Sequence, residues 1–164
     1  MAKQNTNSKQ GFTIIEVVLV LAIAGLIFLM VFIALPALQR SQRDTQRRDD
    51  MARFLSQLNQ YQANNAGQVP AATKAGYEAF RLNYLKAGGD SFADPSTGED
   101  YAIEGVLPCT NASDCVQKST TTVNGIYVYT NAKCNGENPE FVSGNRKIAI
   151  TIKLEGAGIY CGNN

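Results

Sequence analysis

The sequence predicts an α+β chain: a long N-terminal α-helix laid across a small antiparallel β-sheet, with a disulfide-stapled C-terminal region. Three observations predict it. An apolar run from Phe12 to Leu35 holds a single charge, Glu16. A helical apolar stripe continues beyond that run to about Gln62. Strand-like alternation fills the second half of the chain, which also holds all four cysteines.

Residues 1–11 are polar and carry Lys3 and Lys9 without an acid. The apolar run follows directly. As a helix it spans about 36 Å, more than the roughly 30 Å hydrocarbon core of a bilayer. It is too long for the apolar core of a secretory signal peptide, and no small-residue cleavage pattern follows it. A plain membrane anchor remains one alternative. A carboxylate within such a helix is costly and therefore demands a reason. One reason is a place one turn from a helix N-terminus, where the helix dipole favours negative charge. Another is a cationic partner.

The junction Lys9-Gln10-Gly11-Phe12-Thr13-Ile14-Ile15-Glu16 resembles the class III prepilin signal of the type IV pilin and pseudopilin superfamily. That signal is a short basic leader ending in Gly, then a Phe, then a Glu at the fifth mature position. Gly11, Phe12 and Glu16 match all three marks. The close resemblance runs from Lys9 to about Gly25. It implies cleavage between Gly11 and Phe12 by a prepilin peptidase, and N-methylation of Phe12. It also implies pairing of the new Phe12 amine with Glu16 of a neighbouring subunit. The implied organisation is a leader at 1–11, a transmembrane and filament-core helix at 12–38, and a globular head at 39–164. The family's helix-loosening Pro falls three residues before Pro36, where this chain has Ile33, whereas Gly25 sits where the family often has Gly. Gly25 and Pro36 are therefore expected to bracket a segment that loosens or kinks on packing.

The function this resemblance implies is structural. The precursor waits in the cell membrane and is cut. An assembly ATPase and a membrane platform protein then extract it into an extracellular pilus with other pilin subunits, minor ones included. Twitching motility, adhesion or DNA uptake are the usual outputs, with nucleic acid met only indirectly. The alternatives are a pseudopilin of a type II secretion or competence system, and an anchored binding domain that never polymerises.

From Ala37 to about Gln62 the pattern stays helical, so one helix is expected from about Thr13 to Ala63. Leu38, Met51, Leu55, Leu58 and Tyr61 fall near one stripe, with Phe54 beside it. Arg40/Asp44, Asp44/Arg48 and Asp49/Arg53 are opposite charges four apart, which predicts an exposed helix face. Arg40, Arg43, Arg47, Arg48 and Arg53 follow the apolar run closely. By the positive-inside count they would lie in the cytoplasm. The leader signal and the cysteines place them outside, and that signal is the more specific.

A second helix is expected from Tyr77 to Leu85, ended by Gly88-Gly89. Asp94-Pro95-Ser96-Thr97-Gly98 reads as a turn. Asp94, Ser96 and Asp100 offer oxygen ligands, yet the EF-hand calcium pattern is absent, so a plain turn is expected. Strands follow at Tyr101–Val106, Gly125–Thr130, Arg146–Glu155 and Ile159–Cys161. In the third, Ile148, Ile150, Ile152 and Leu154 alternate with Lys147, Thr151 and Lys153, which predicts one apolar face, covered by the helix stripe.

Cys109, Cys115, Cys134 and Cys161 show no CxxC spacing, and an even number in a small exported domain fits disulfides. Three pairings are possible. The favoured set is Cys109–Cys115, closing a tight polar loop from Thr110 to Asp114, and Cys134–Cys161, tying the last strand to an upstream loop. Asn111-Ala112-Ser113 fits the N-glycosylation pattern but is read as loop chemistry. The chain has no His, which removes the Ser/His/Asp and Cys/His nucleophile systems and His-ligated zinc. No enzyme activity, cofactor or metal is expected. The net charge of +1 demands no polyanionic partner.

Overall fold

The computed structural model describes residues 11–118, 122–156 and 158–164. The expected leader, apart from Gly11, lies outside the described residues. The chain divides into two compact units, Met1–Gln39 and Arg40–Asn164. Helix α1 covers Ile14–Asn64 and so enters both.

In the first unit the helix is apolar all round and long enough to cross a bilayer. Its large side chains are exposed, Phe28 by 65% and Ile33 by 71%. Exposed apolar surface of this extent marks a segment meant for lipid or for other helices. In the single chain α1 runs unbroken through both Gly25 and Pro36. Pro36 has no N–H, so the carbonyl of Phe32 lacks its usual helical donor.

In the second unit the stripe of α1 does what its spacing predicts. Met51, Phe54, Leu55 and Leu58 are buried against the sheet side of the core, whereas Leu38, assigned to the same stripe, is exposed. Burial of each large apolar side chain contributes about 1.5–3 kcal/mol. The helix stops where Gly67 (φ +78°) turns its N–H back to the Gln62 carbonyl at 2.7 Å.

The expected second helix is two pieces. Helix α2 is Lys74–Phe80, capped by Thr73, whose Oγ1 accepts from the Gly76 N–H at 3.1 Å. A π-helical turn, Arg81–Leu85, follows. Gly76 is required by close approach, because a Cβ there would stand 2.4 Å from the Ala71 carbonyl oxygen. Phe80 packs edge-on against Phe54, with ring centroids 5.2 Å apart, and against Tyr61 at 5.7 Å.

The main sheet has the order β1 (Ala102–Pro108), β2 (Gly125–Thr130), β5 (Ile148–Lys153), β6 (Ile159–Asn163). β2–β5 and β5–β6 are antiparallel as expected, but β1 pairs parallel with β2. The sheet is therefore mixed. The physical reason is the connection: a parallel neighbour needs a long crossover, and residues 109–124 supply one. A separate hairpin, β3 (Ala132–Asn135) with β4 (Asn138–Phe141), was not predicted. Its polar strands, Ala-Lys-Cys-Asn and Asn-Pro-Glu-Phe, show no clear alternation.

That hairpin changes the burial of β5. Thr151, expected to face solvent opposite the isoleucines, is wholly buried, as is Ala149. The far face of the sheet carries Tyr129 and Ala149, covered by Ala132 and the Cys109–Cys115 loop. Three layers result: helices, sheet, and a disulfide-bound outer layer. The disulfides are Cys109–Cys115 and Cys134–Cys161, and the second bolts the hairpin to β6. Reducing both is expected to destabilise the head, chiefly through Cys134–Cys161. Its separation of 27 residues corresponds to about 3.5 kcal/mol of loop entropy. Thermal melts with and without reductant check this, and an unchanged Tm would contradict it.

Candidate functional site at the N-terminal junction

Gly11, Phe12 and Thr13 precede the helix in non-helical backbone, and α1 begins at Ile14. Glu16 lies in the first turn. Its Oε2 accepts from the Thr13 N–H at 2.9 Å and from the Thr13 hydroxyl at 2.8 Å. The Glu16 N–H in turn points to Thr13 Oγ1 at 3.4 Å. This reciprocal pair is a capping box, which satisfies N–H groups that every helix start leaves free. Thr13 was not singled out from the sequence, although Thr-x-x-Glu before an apolar run is the legible signal. The box marks where the helix starts and leaves the Gly11–Phe12 bond outside it. Phe12, Val17, Val20 and Leu21 line an open apolar hollow beside Glu16, which is itself exposed.

The arginine-rich stretch behaves differently from its expectation. Asp44 does not pair with Arg40 or Arg48 in the structure, and Arg53 reaches Asp90 at 2.9 Å rather than Asp49. Arg48 lies over the Tyr160 ring, 5.9 Å from its centroid. Arg47, one turn before Met51 on the buried stripe, is wholly buried. Its Nε donates to Asp94 at 2.5 Å and its Nη1 to Asp44 at 2.8 Å. Its Nη2 donates to Asp94 at 3.0 Å, Ser96 at 2.9 Å and Glu155 at 2.7 Å. Arg43 grips Glu155 as well, at 2.6 Å. Asp44 also accepts from the backbone N–H groups of Glu155 and Gly156, each at 2.8 Å. The expected exposed, charge-laced face is thus partly a buried ionic cluster. Asp44 is a neighbour of Arg47 on the helix, but the other two acids come from residues 94 and 155, which no local pattern connects to residue 47.

The cluster also engages the carboxylates of the 94–100 turn. Asp94 is filled by Arg47 and by the N–H groups of Ser96 at 2.9 Å and Thr97 at 3.3 Å. Asp100 is held by Lys86 and by Arg81 at 3.2 Å. The chain's own cations and N–H groups occupy these oxygens, and the segment is a turn. Among the described residues no group of three or more His, Cys, Asp or Glu side chains gathers as metal ligands. Asn111 is exposed in the Cys109–Cys115 loop, where its Oδ1 accepts from the Ser113 N–H at 2.9 Å and the Asp114 N–H at 3.1 Å. That is loop chemistry.

Residues 6–32 match the family model described as the prokaryotic N-terminal methylation motif. The match contains Gly11, Phe12, the capping box and most of the apolar run, and it ends before the head begins. No curated protein and no solved structure matches the chain.

Proposed function

We propose that this chain, a type IV pilin- or pseudopilin-like precursor by its methylation motif, is the structural subunit of an extracellular type IV pilus. A prepilin peptidase removes residues 1–11, and the new amine of Phe12 is methylated. Residues 12–38 hold the mature chain in the membrane until an assembly ATPase and a platform protein lift it into the filament. There the stems of many subunits form the core, and the heads, residues 39–164, form the surface. Motility, adhesion or DNA uptake follow from what the heads touch.

One observation carries this: the motif covers the Gly11–Phe12 junction and most of an apolar run whose only charge is Glu16. A helix that is apolar all round suits two successive solvents, lipid before assembly and neighbouring stems after it. A carboxylate there is tolerable when it has a partner. Cleavage creates one, the positive amine of Phe12 on an adjacent stem. The disulfides fit a head that matures in an oxidising compartment.

Mass spectrometry of protein sheared from the cell surface tests it. The expected N-terminus is Phe12, bearing one added methyl group. Sheared filaments whose subunits retain Met1 would overturn the proposal. A pseudopilin shares the motif, and short, non-retracting filaments in electron micrographs would assign the chain to that class instead.

A further inference from the structure

We infer that the Arg43–Asp44–Arg47–Asp94–Glu155 cluster is a kinetic clasp that controls how fast α1 is released from the head. Four observations converge. First, buried Asp44 and Arg47, with half-buried Arg43 just ahead of them, come before Met51, Phe54, Leu55 and Leu58 along α1, so they are met before the apolar core from the N-terminal side. Second, their partners belong to the turn before β1 and to the turn between β5 and β6. The cluster therefore joins α1 to two separate parts of the head. Third, neither disulfide includes a residue of α1, so nothing covalent holds this helix against the sheet. Fourth, every nitrogen of the Arg47 guanidinium donates at least one hydrogen bond, and the side chains of Arg47 and Asp94 are both fully buried.

The physics of such a cluster separates rate from equilibrium. Complete, it gains little over a neutral packing of the same shape, because removing the charges from water offsets their attraction. Half-separated, it leaves charges apart in a medium that cannot solvate them. Hydrogen bonds are also lost within about an ångström of stretch, sooner than apolar contacts fade. The penalty therefore falls on the path out and adds to the barrier rather than to the depth of the well. Under the filament reading, tension passing along α1 would reach these residues before the apolar core. The kinetic claim itself does not need that reading.

The test uses the full chain in detergent micelles, wild type against Arg47→Met/Asp94→Asn. Asn keeps the turn acceptor for Ser96 and Thr97, and Glu155 keeps Arg43. The expected result is an equilibrium denaturation midpoint close to wild type with an unfolding rate about tenfold or more higher. In single-molecule pulling between N- and C-terminal handles, the rupture force is expected to fall. An unchanged unfolding rate, or a rate rise no larger than the loss of equilibrium stability, would overturn the inference. Should the double variant fail to form its two disulfides, Glu155→Gln, at the cluster's rim, is measured in its place with the same asymmetry expected and the same refuting outcome. Failure here leaves the filament reading untouched, because that reading is decided by the N-terminal mass.

Discussion

Glu16→Ala is expected to give a chain that is still cut after Gly11 and still folds its head, yet is absent from the sheared surface fraction. The carboxylate has two separable duties. It closes the capping box with Thr13, a local matter of helix ends. It also supplies the only negative charge in the apolar run, the natural partner for an amine created by cleavage. Glu16→Gln separates the duties, since Gln also serves at this position of a capping box but carries no charge. If charge matters, both variants accumulate in the membrane with a Phe12 N-terminus and neither reaches the surface. Immunoblots of sheared and cell-bound fractions, with the N-terminal mass of each, decide it. Filaments from Glu16→Gln at wild-type level would reduce Glu16 to a helix cap.

Arg47→Met alone is expected to cost the head about 3–5 kcal/mol, because it strands the fully buried Asp94 carboxylate. That corresponds to a Tm lower by roughly 10 °C or more. The same cluster sets the acid limb of stability. The hydrogen bond from Arg43, helped by Arg47, holds the Glu155 carboxyl down at about 2. Burial opposes ionisation of Asp94, but the hydrogen bonds from Arg47 and Ser96 prevail and hold it below the usual carboxylate range. A carboxylate depressed in the folded state contributes stability above its unfolded pKa and loses it as pH falls through the folded value. Wild type is therefore expected to lose stability between about pH 4.5 and pH 2. In Arg47→Met the Asp94 share of that loss disappears. Melts across pH for both proteins check the slope, and identical slopes would show that Arg47 does not set it.

The motif at the junction, the apolar run, the extent of α1, the two disulfides and β2, β5 and β6 were legible in the sequence. Apart from the Cys134–Cys161 pairing, these rest on local signals: Gly11-Phe12 with Glu16 four residues after Phe12, an unbroken apolar run, Asn64-Asn65-Ala66-Gly67 as a stop, and alternation along Ile148–Lys153. The capping box was legible too, in Thr13 and Glu16, although it went unread. Only the tertiary structure decided the rest. β1 runs parallel to β2, a pairing that neither strand's own alternation encodes. Thr151 is buried because a polar hairpin with no strand signature covers the second face of β5. Arg47 is buried because Asp94 and Glu155 arrive from far along the chain to receive it. A residue's own neighbours report its helix or strand periodicity. Whether its charge meets water or a carboxylate is settled by residues tens of positions away, and only the folded chain brings them together.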